Sequence, residues 1–202
     1  MPYKIAQGID GSIKIHKVGE SIEYVGDVGA PASGTITVEE SQFGPFFVTR
    51  FTLKSARITV TDGAASGSHG SLKIYDMPAG AITFLGCRQD YTAFAEGAAL
   101  TGAAGDAVFE IGVGTTAISA AADGTLGNGV NENVGQAVSV TLSGGTGTGT
   151  AVDGAKTTAL NGTATAIDLN LNWSGTAATI DANSTIDVTG TITVVWAHMG
   201  DD

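Results

Sequence analysis

Residues 46–62 have the sequence FFVTRFTLKSARITVTD, along which polar and apolar side chains largely alternate. An alternation with a period of two is typical of a β-strand, because successive side chains of a strand point to opposite faces of the sheet. The pattern predicts one strand over Phe46–Lys54 and a second over Arg57–Asp62, joined at Ser55-Ala56. This stretch therefore favours a β fold.

The same alternation recurs along the rest of the chain. The further predicted strands are Ser12–Val18, Gly34–Glu40, Ser71–Asp76, Ala81–Leu85, Ala107–Val113, Gln136–Ser143, Thr163–Trp173 and Thr185–His198. Turn signals separate them, such as Met77-Pro78-Ala79-Gly80, in which proline presets φ and glycine permits a positive φ. Helix-compatible composition occurs only at Tyr91–Leu100 and Thr115–Ala122, each of which is compatible with one short helix.

The composition supports the same fold class. Val, Ile and Thr are abundant, Leu is scarce, and there are 30 Gly residues; β-branched residues suit strands and glycines suit turns. We expect an all-β protein, an antiparallel β sandwich of jelly-roll type with about ten strands and Gly-rich loops. The Gly/Thr stretch 144–150 is expected to be a loop, or else an extended strand packed closely against another backbone.

A length of 202 residues predicts one domain. Charge and aromatic content differ between the halves, since eight of the nine Lys and Arg residues precede residue 101 and all Phe residues lie between Phe43 and Phe109. A domain boundary near 100–106 is the alternative. Trp173 and Trp196 instead favour a single domain over 1–202, whose last strands close onto the first half, with residues 1–20 in that domain or forming an arm.

Charge and composition exclude several functional classes. The formal net charge of −11 disfavours binding to nucleic acid, which requires neutralisation of phosphates. No run of 18 apolar residues is present, so we expect no membrane span. The lone Cys87 cannot form an internal disulfide, which suits folding in a reducing compartment. The N-terminus, Met1–Lys4, lacks the apolar region of a secretory signal.

No catalytic pattern emerges from the polar residues. His16, His69 and His198 are scattered, and surface or hydrogen-bonded roles are the prediction for them. Glu39 and Glu40 are adjacent in a strand and therefore point to opposite faces, unlike the paired carboxylates of a glycosidase. We expect no enzymatic activity.

No cofactor and no metal site are predicted either. The oxygen-rich segments Asp123-Gly124, Asn131-Glu132-Asn133 and Asp181-Ala182-Asn183 offer ligands of the kind that Ca²⁺ prefers. None of them has the spacing of a calcium-binding loop.

An aromatic cluster, Phe43-Gly44-Pro45-Phe46-Phe47, is the strongest candidate for a contact surface. Three aromatic rings in five residues around a turn cannot all face inward, and exposed aromatic clusters mark interfaces. The alternative is that Phe46 or Phe47 begins a core strand and Phe43 covers its edge.

The N-terminal segment through Ile15 is a second candidate contact. Lys4, Lys14 and Lys17 are three of nine cations in an acidic chain and would face an acidic partner surface.

Four stretches resemble small structural proteins of tailed bacteriophages. They are residues 25–41 (VGDVGAPASGTITVEES), 73–82 (KIYDMPAGAI), 162–166 (GTATA) and 190–196 (GTITVVW). The resemblance implies a head decoration, or cement, protein: a jelly-roll trimer seated on the capsid surface of the virion, with the major capsid protein as partner. It carries over no functional residues. The chain lacks the long-helix pattern of a tailed-phage major capsid subunit.

The alternative function is a phage fibre or receptor-binding module that recognises a host-surface glycan. Such a module needs an exposed aromatic platform with amide partners, and Trp173 with Asn170 and Asn172 is the candidate that the sequence offers. The alternation of that strand predicts, however, that Trp173 faces the core. It also predicts that Asn170 and Asn172 face solvent or a polar interface.

Overall fold

The structure is a computed structural model. It describes residues 3–7, 13–17, 22–23, 35–63, 67–97, 109–119, 126, 131–143, 146–149, 159–161, 167–175 and 182–199. The strands are β1 (Tyr3–Gln7), β2 (Ile13–Lys17), β3 (Ile22–Glu23), β4 (Thr35–Phe43), β5 (Phe46–Asp62), β6 (Ser68–Asp76), β7 (Ala81–Glu96), β8 (Phe109–Gly114), β9 (Gly135–Ser143), β10 (Thr146–Gly149), β11 (Ala159–Asn161), β12 (Asp168–Gly175) and β13 (Ser184–His198). The described residues contain no helix.

Eight of these strands have the order of a jelly roll. One four-stranded layer is β5-β13-β7-β10 and the other is β6-β12-β8-β9, and every pair is antiparallel. The β5–β6 and β9–β10 pairs join the layers into a barrel-like ring. Two such layers built from eight strands define the jelly-roll arrangement. The predicted fold class is therefore confirmed, and the described residues form thirteen strands where about ten were predicted.

We call the first layer, extended by β4 along the free edge of β5, sheet I, and the second layer sheet II. The core lies between them and contains both tryptophans. Strands β12 and β13, from the second half of the chain, pair with β5, β6 and β7 of the first half. The predicted return of the last strands onto the first half is confirmed.

Strand β5 is continuous where the sequence predicted two strands. Lys54 and Ser55 together face the single residue Thr189 of β13, since Leu53 pairs with Gly190 and Ala56 with Val188. Ser55 has a φ of 53°, and its N–H donates to Thr189 Oγ1 at 3.2 Å. Such a β-bulge shifts the inward set of side chains by one residue. The break in alternation at Ser55-Ala56 marks this bulge and not a strand end.

Two local predictions were wrong. Residues 146–149 are strand β10, paired with β7 and β9, so the alternative of an extended strand holds there and the loop prediction fails. Residues 91–96 belong to β7, and residues 115–119 have no helix. The extra residue Thr92, between the pairs Tyr91–Gly190 and Ala93–Thr189, spaces the buried Tyr91 and Phe94 three apart. Apolar residues three apart also lie on one face of a helix, which explains why this segment looked compatible with a helix.

Candidate interaction surface

The outer face of sheet I ends in exposed apolar side chains. Phe43 is 82% exposed, Met199 69%, Phe46 47%, Leu85 41% and Val48 40%. We call these five residues the apolar patch. Large exposed hydrophobic side chains that adjoin one another mark binding surfaces, whereas isolated ones are ordinary.

The strand register places the patch residues side by side. Phe46 pairs with Phe43 on one edge and with Ala197 on the other. Val48, two residues further along the same face of β5, pairs with Val195. Leu85 lies in an irregularity of β7, between the residues that pair with Trp196 and Val195. The patch thus crosses β4, β5, β13 and β7 at one end of sheet I.

A tight hairpin presents Phe43 and Phe46. Only Gly44 and Pro45 separate β4 from β5, and Gly44 has a φ of 61°. Glycine at the first position of a two-residue turn supplies the positive φ that strand twist requires. The Pro45 carbonyl accepts the N–H of His198 at 3.0 Å, which fastens the turn to the end of β13.

Phe47, predicted as an interface residue, belongs to the core. It is buried, because it neighbours Phe46 in a strand and so faces the opposite side. Its ring stacks on Trp196 with centroids 4.2 Å apart and an interplanar angle of 11°. The alternative in which Phe47 begins a core strand therefore holds for this residue, whereas Phe43, Pro45 and Phe46 are exposed.

Hydrogen bonds continue inward from this aromatic stack. Trp196 Nε1–H donates to Thr49 Oγ1 at 2.8 Å, and the Thr49 hydroxyl donates to Glu40 Oε2 at 2.9 Å. The Tyr75 hydroxyl donates to the same carboxylate oxygen at 3.2 Å. Glu40 thus faces inward as a structural acceptor while Glu39 is exposed, as their adjacency predicted. The aromatic stack beneath the patch is therefore hydrogen-bonded to β4, β5 and β6.

The three predicted N-terminal cations lie in a separate two-stranded sheet of β1 and β2. In its register Lys4 pairs with His16, Lys14 with Ala6 and Lys17 with Tyr3. Their role in contacts stays a prediction.

The outer face of sheet II is covered where the sequence predicted solvent or a polar interface. Asn172 is completely buried and makes four hydrogen bonds. Its Oδ1 accepts the Ser71 hydroxyl at 2.7 Å and the Ile118 N–H at 3.1 Å. Its Nδ2 donates to the carbonyls of Thr116 at 2.9 Å and Asn131 at 2.8 Å. Every donor and acceptor site of this amide is used, so it fastens the covering segments to the sheet.

The proposed glycan platform does not exist at this place. Asn170 and Asn172 are buried, and so is Trp173, as its alternation predicted. The indole stacks on Phe109, with centroids 5.1 Å apart, in the interior between the sheets. A sugar cannot reach these residues from outside.

The oxygen-rich segment Asn131–Asn133 braces the fold. Glu132 Oε2 accepts the N–H of Ala137 at 2.8 Å, and Asn133 Oδ1 accepts that of Thr115 at 2.9 Å. In the part of the chain that the structure describes, no group of three or more His, Cys, Asp or Glu side chains could hold a metal ion. Asp123-Gly124 and Asp181 lie outside the described residues.

The remaining reactive side chains have structural surroundings. His198 is buried, with Nε2 at 2.7 Å from the Ala79 carbonyl, as expected of a hydrogen-bonded histidine. Burial raises the pKa of the Cys87 thiol to about 12, so it remains protonated at neutral pH. His69 is half-buried on β6, and the His16 side chain lies outside the described set.

Sequence reasoning found part of the patch and missed the rest. The turn chemistry identified Phe43, Pro45 and Phe46. Val48 follows from the same rule, because three successive apolar residues in a strand cannot share one face. Leu85 follows the buried Phe84 in β7, so the predicted alternation of Ile82 and Phe84 inward also assigns Leu85 to the outer face.

Comparisons of this chain with protein-family models, with curated proteins and with solved structures found no match. Over the described ranges, no helix is long and apolar enough to cross a membrane.

Proposed function

We propose that this chain is a virion structural protein that decorates the exterior of a tailed-phage capsid. In this proposal it is made in the host cytoplasm, assembles as a homotrimer and stabilises the particle by bridging subunits of the major capsid protein. The observation that carries the proposal is the apolar patch. Exposed aromatic and methionine side chains on a packed sheet suit an interface, since such residues are enriched in interface cores.

Two further features support the proposal. The sequence resembles small phage structural proteins over four stretches, and the jelly roll is an architecture that viral capsid domains use. An exposed apolar surface of this kind is suited to binding a partner.

Sedimentation velocity of the purified chain, followed by rebinding to capsids stripped of it, tests the proposal. We expect a compact trimer that co-sediments with the stripped capsids. An elongated trimer that does not rebind would instead indicate the fibre or receptor-binding alternative. A chain of any oligomeric state that fails to rebind overturns the decoration proposal.

A paired variant tests whether the patch makes the contact. Phe43→Ser with Phe46→Ser removes two exposed rings, and we expect capsid affinity to fall at least about tenfold, because aromatic anchors dominate interface energies. The matched control is Thr59→Ser with Thr61→Ser, which changes two exposed positions at the far end of β5. Equal rebinding by both double variants would remove the patch from the interface.

A further inference from the structure

Among the side chains that the structure describes, the outer face of sheet I has more cations than anions. Its cationic side chains are Arg50, Lys54, Arg57 and Arg88, and its anionic ones are Glu39, Asp90 and Asp187. The face therefore has a net charge of +1, in a chain whose formal net charge is −11. Four of the nine Lys and Arg residues are concentrated on it.

Two of these cations border the apolar patch directly. Arg50 and Arg88 both pair with Thr193 of β13, one from each side, in the row next to Val48 and Val195. Arg50 is exposed, and the Arg88 side chain is 65% exposed although its Nε lies 2.8 Å from Asp90 Oδ2. Arginine is enriched at interfaces, because it presents several donors in a rigid plane to carboxylates.

The outer face of sheet II has the opposite charge. Lys73 is its one cation among the described residues, against Asp76, Asp168 and Glu110. Of the two layers, only sheet I therefore has an excess of cations on its described outer face; the separate β1–β2 sheet carries Lys4, Lys14 and Lys17. Two copies joined through this same face would bring their arginines together, which disfavours a symmetric contact between patches.

We infer that the apolar patch docks on an acidic protein surface with exposed apolar side chains at its centre, and that Arg50 and Arg88 meet the carboxylates around them. The inference rests on the proposed function, in which that surface belongs to the capsid subunit. The capsid subunit must then present exposed apolar side chains surrounded by carboxylates at the contact.

A peptide titration tests this chemistry without a capsid. The probe is a synthetic peptide of alternating Asp and Leu residues, added to the ¹⁵N-labelled chain, with a Lys/Leu peptide of equal length as the reference. We expect the acidic peptide to shift the amide resonances of residues 46–52, 85–88 and 193–195. Shifts centred elsewhere, no shifts at all, or equal shifts with the basic peptide would overturn the inference.

Matched variants isolate the contribution of charge. Arg50→Gln with Arg88→Gln and Thr59→Glu with Thr61→Glu both lower the net charge by two, but only the first pair borders the patch. We expect about fivefold weaker binding of the acidic peptide for the arginine variant, the sum of two exposed ion pairs. For the threonine variant we expect a change below about twofold. Equal weakening by both variants would show that overall charge acts and not these arginines.

The capsid assay separates the two proposals. If the acidic peptide binds at the patch but stripped capsids do not rebind the chain, the decoration proposal fails while the inferred surface chemistry stands. If capsids rebind the chain and the arginine variant does so equally well at every salt concentration, the inferred chemistry fails and the decoration proposal stands.

Discussion

The outer faces of the two sheets show opposite relations between sequence and exposure. On sheet I, Phe43 and Phe46 are apolar and exposed. On sheet II, Asn170 and Asn172 are polar and buried under segments that hydrogen-bond to Asn172. Strand alternation assigns a side chain to one face of its sheet, and it does not say what covers that face. A buried polar face is stable where its hydrogen bonds are complete, whereas an exposed apolar face gains free energy when a partner covers it.

The largest expected effect tests the foundation of the exposed face. Phe47→Ala removes a buried ring stacked on Trp196 and leaves a cavity. We expect a loss of about 3–5 kcal/mol in the free energy of unfolding, measured by chemical denaturation. A loss below about 1 kcal/mol would mean that Phe47 does not pack in the core.

The next effect tests the covered face. Asn172→Ala deprives two N–H or O–H donors and two carbonyls of their partner, and we expect a loss of about 3 kcal/mol in the free energy of unfolding. Amide exchange at Ile118, whose N–H the side chain accepts, should accelerate.

Asn183→Ala is the matched control for this change. Asn183 is exposed and accepts one hydrogen bond, from the Asp62 N–H at 2.9 Å. We expect Asn183→Ala to lower the free energy of unfolding by less than about 1 kcal/mol. Similar losses for the two variants would contradict the fastening role of Asn172.

A smaller effect depends on pH. Asp76 and Asp168 face each other across β6 and β12, and Lys73 Nζ lies 2.5 Å and 3.5 Å from their respective oxygens. Burial raises the pKa of Asp168, and its hydrogen bond to Asp76 raises it further. Burial also tends to raise the pKa of Asp76. The hydrogen bonds from Lys73 and Asp168 lower it by more, so the pKa of Asp76 lies below its ordinary value.

Lys73→Met would remove the cation between these carboxyl groups. We expect it to cost about 0.5–1 kcal/mol at pH 7, since the groups are about one-third exposed and screened by solvent. In the native chain, the stability due to the lowered pKa of Asp76 is present above its unfolded pKa and is lost as pH falls through the folded one. The variant lacks that contribution and gains stability as its carboxyl groups protonate. The two denaturation curves should therefore converge below about pH 4, where Asp76 of the native chain becomes protonated, and a gap that stays constant down to about pH 2.5 would refute the electrostatic origin.

The smallest expected effect on stability belongs to the patch itself. Phe43→Ser with Phe46→Ser should change the free energy of unfolding by less than about 1 kcal/mol, because Phe43 is 82% and Phe46 47% exposed to solvent already. Comparison of this double variant with Phe47→Ala separates a binding role from a folding role within five residues. A loss above about 2 kcal/mol would place the two rings in the core.

The sequence predicted the fold class because alternation and turn chemistry are local signals. The strand over Arg57–Asp62 and the turn at Met77–Gly80 follow from them directly. The bulges at Ser55 and Thr92 and the burial of Asn172 depend on strands and loops that are remote in the sequence. A local sequence pattern does not identify these remote partners. Alternation assigns both Phe46 and Leu85 to an outer face, because each lies beside a buried aromatic residue, but it does not say whether that face is covered.

Hydroxyl-radical footprinting of the free chain and of the chain bound to stripped capsids is the most direct test of the central claim, that the apolar patch is the docking surface. We predict strong oxidation of Phe43, Phe46 and Met199 in the free chain and protection of all three in the bound chain. The buried Trp173 and Trp196 should remain unreactive in both states and so report that the fold is intact. Undiminished oxidation of the three patch residues in the bound chain would contradict the account.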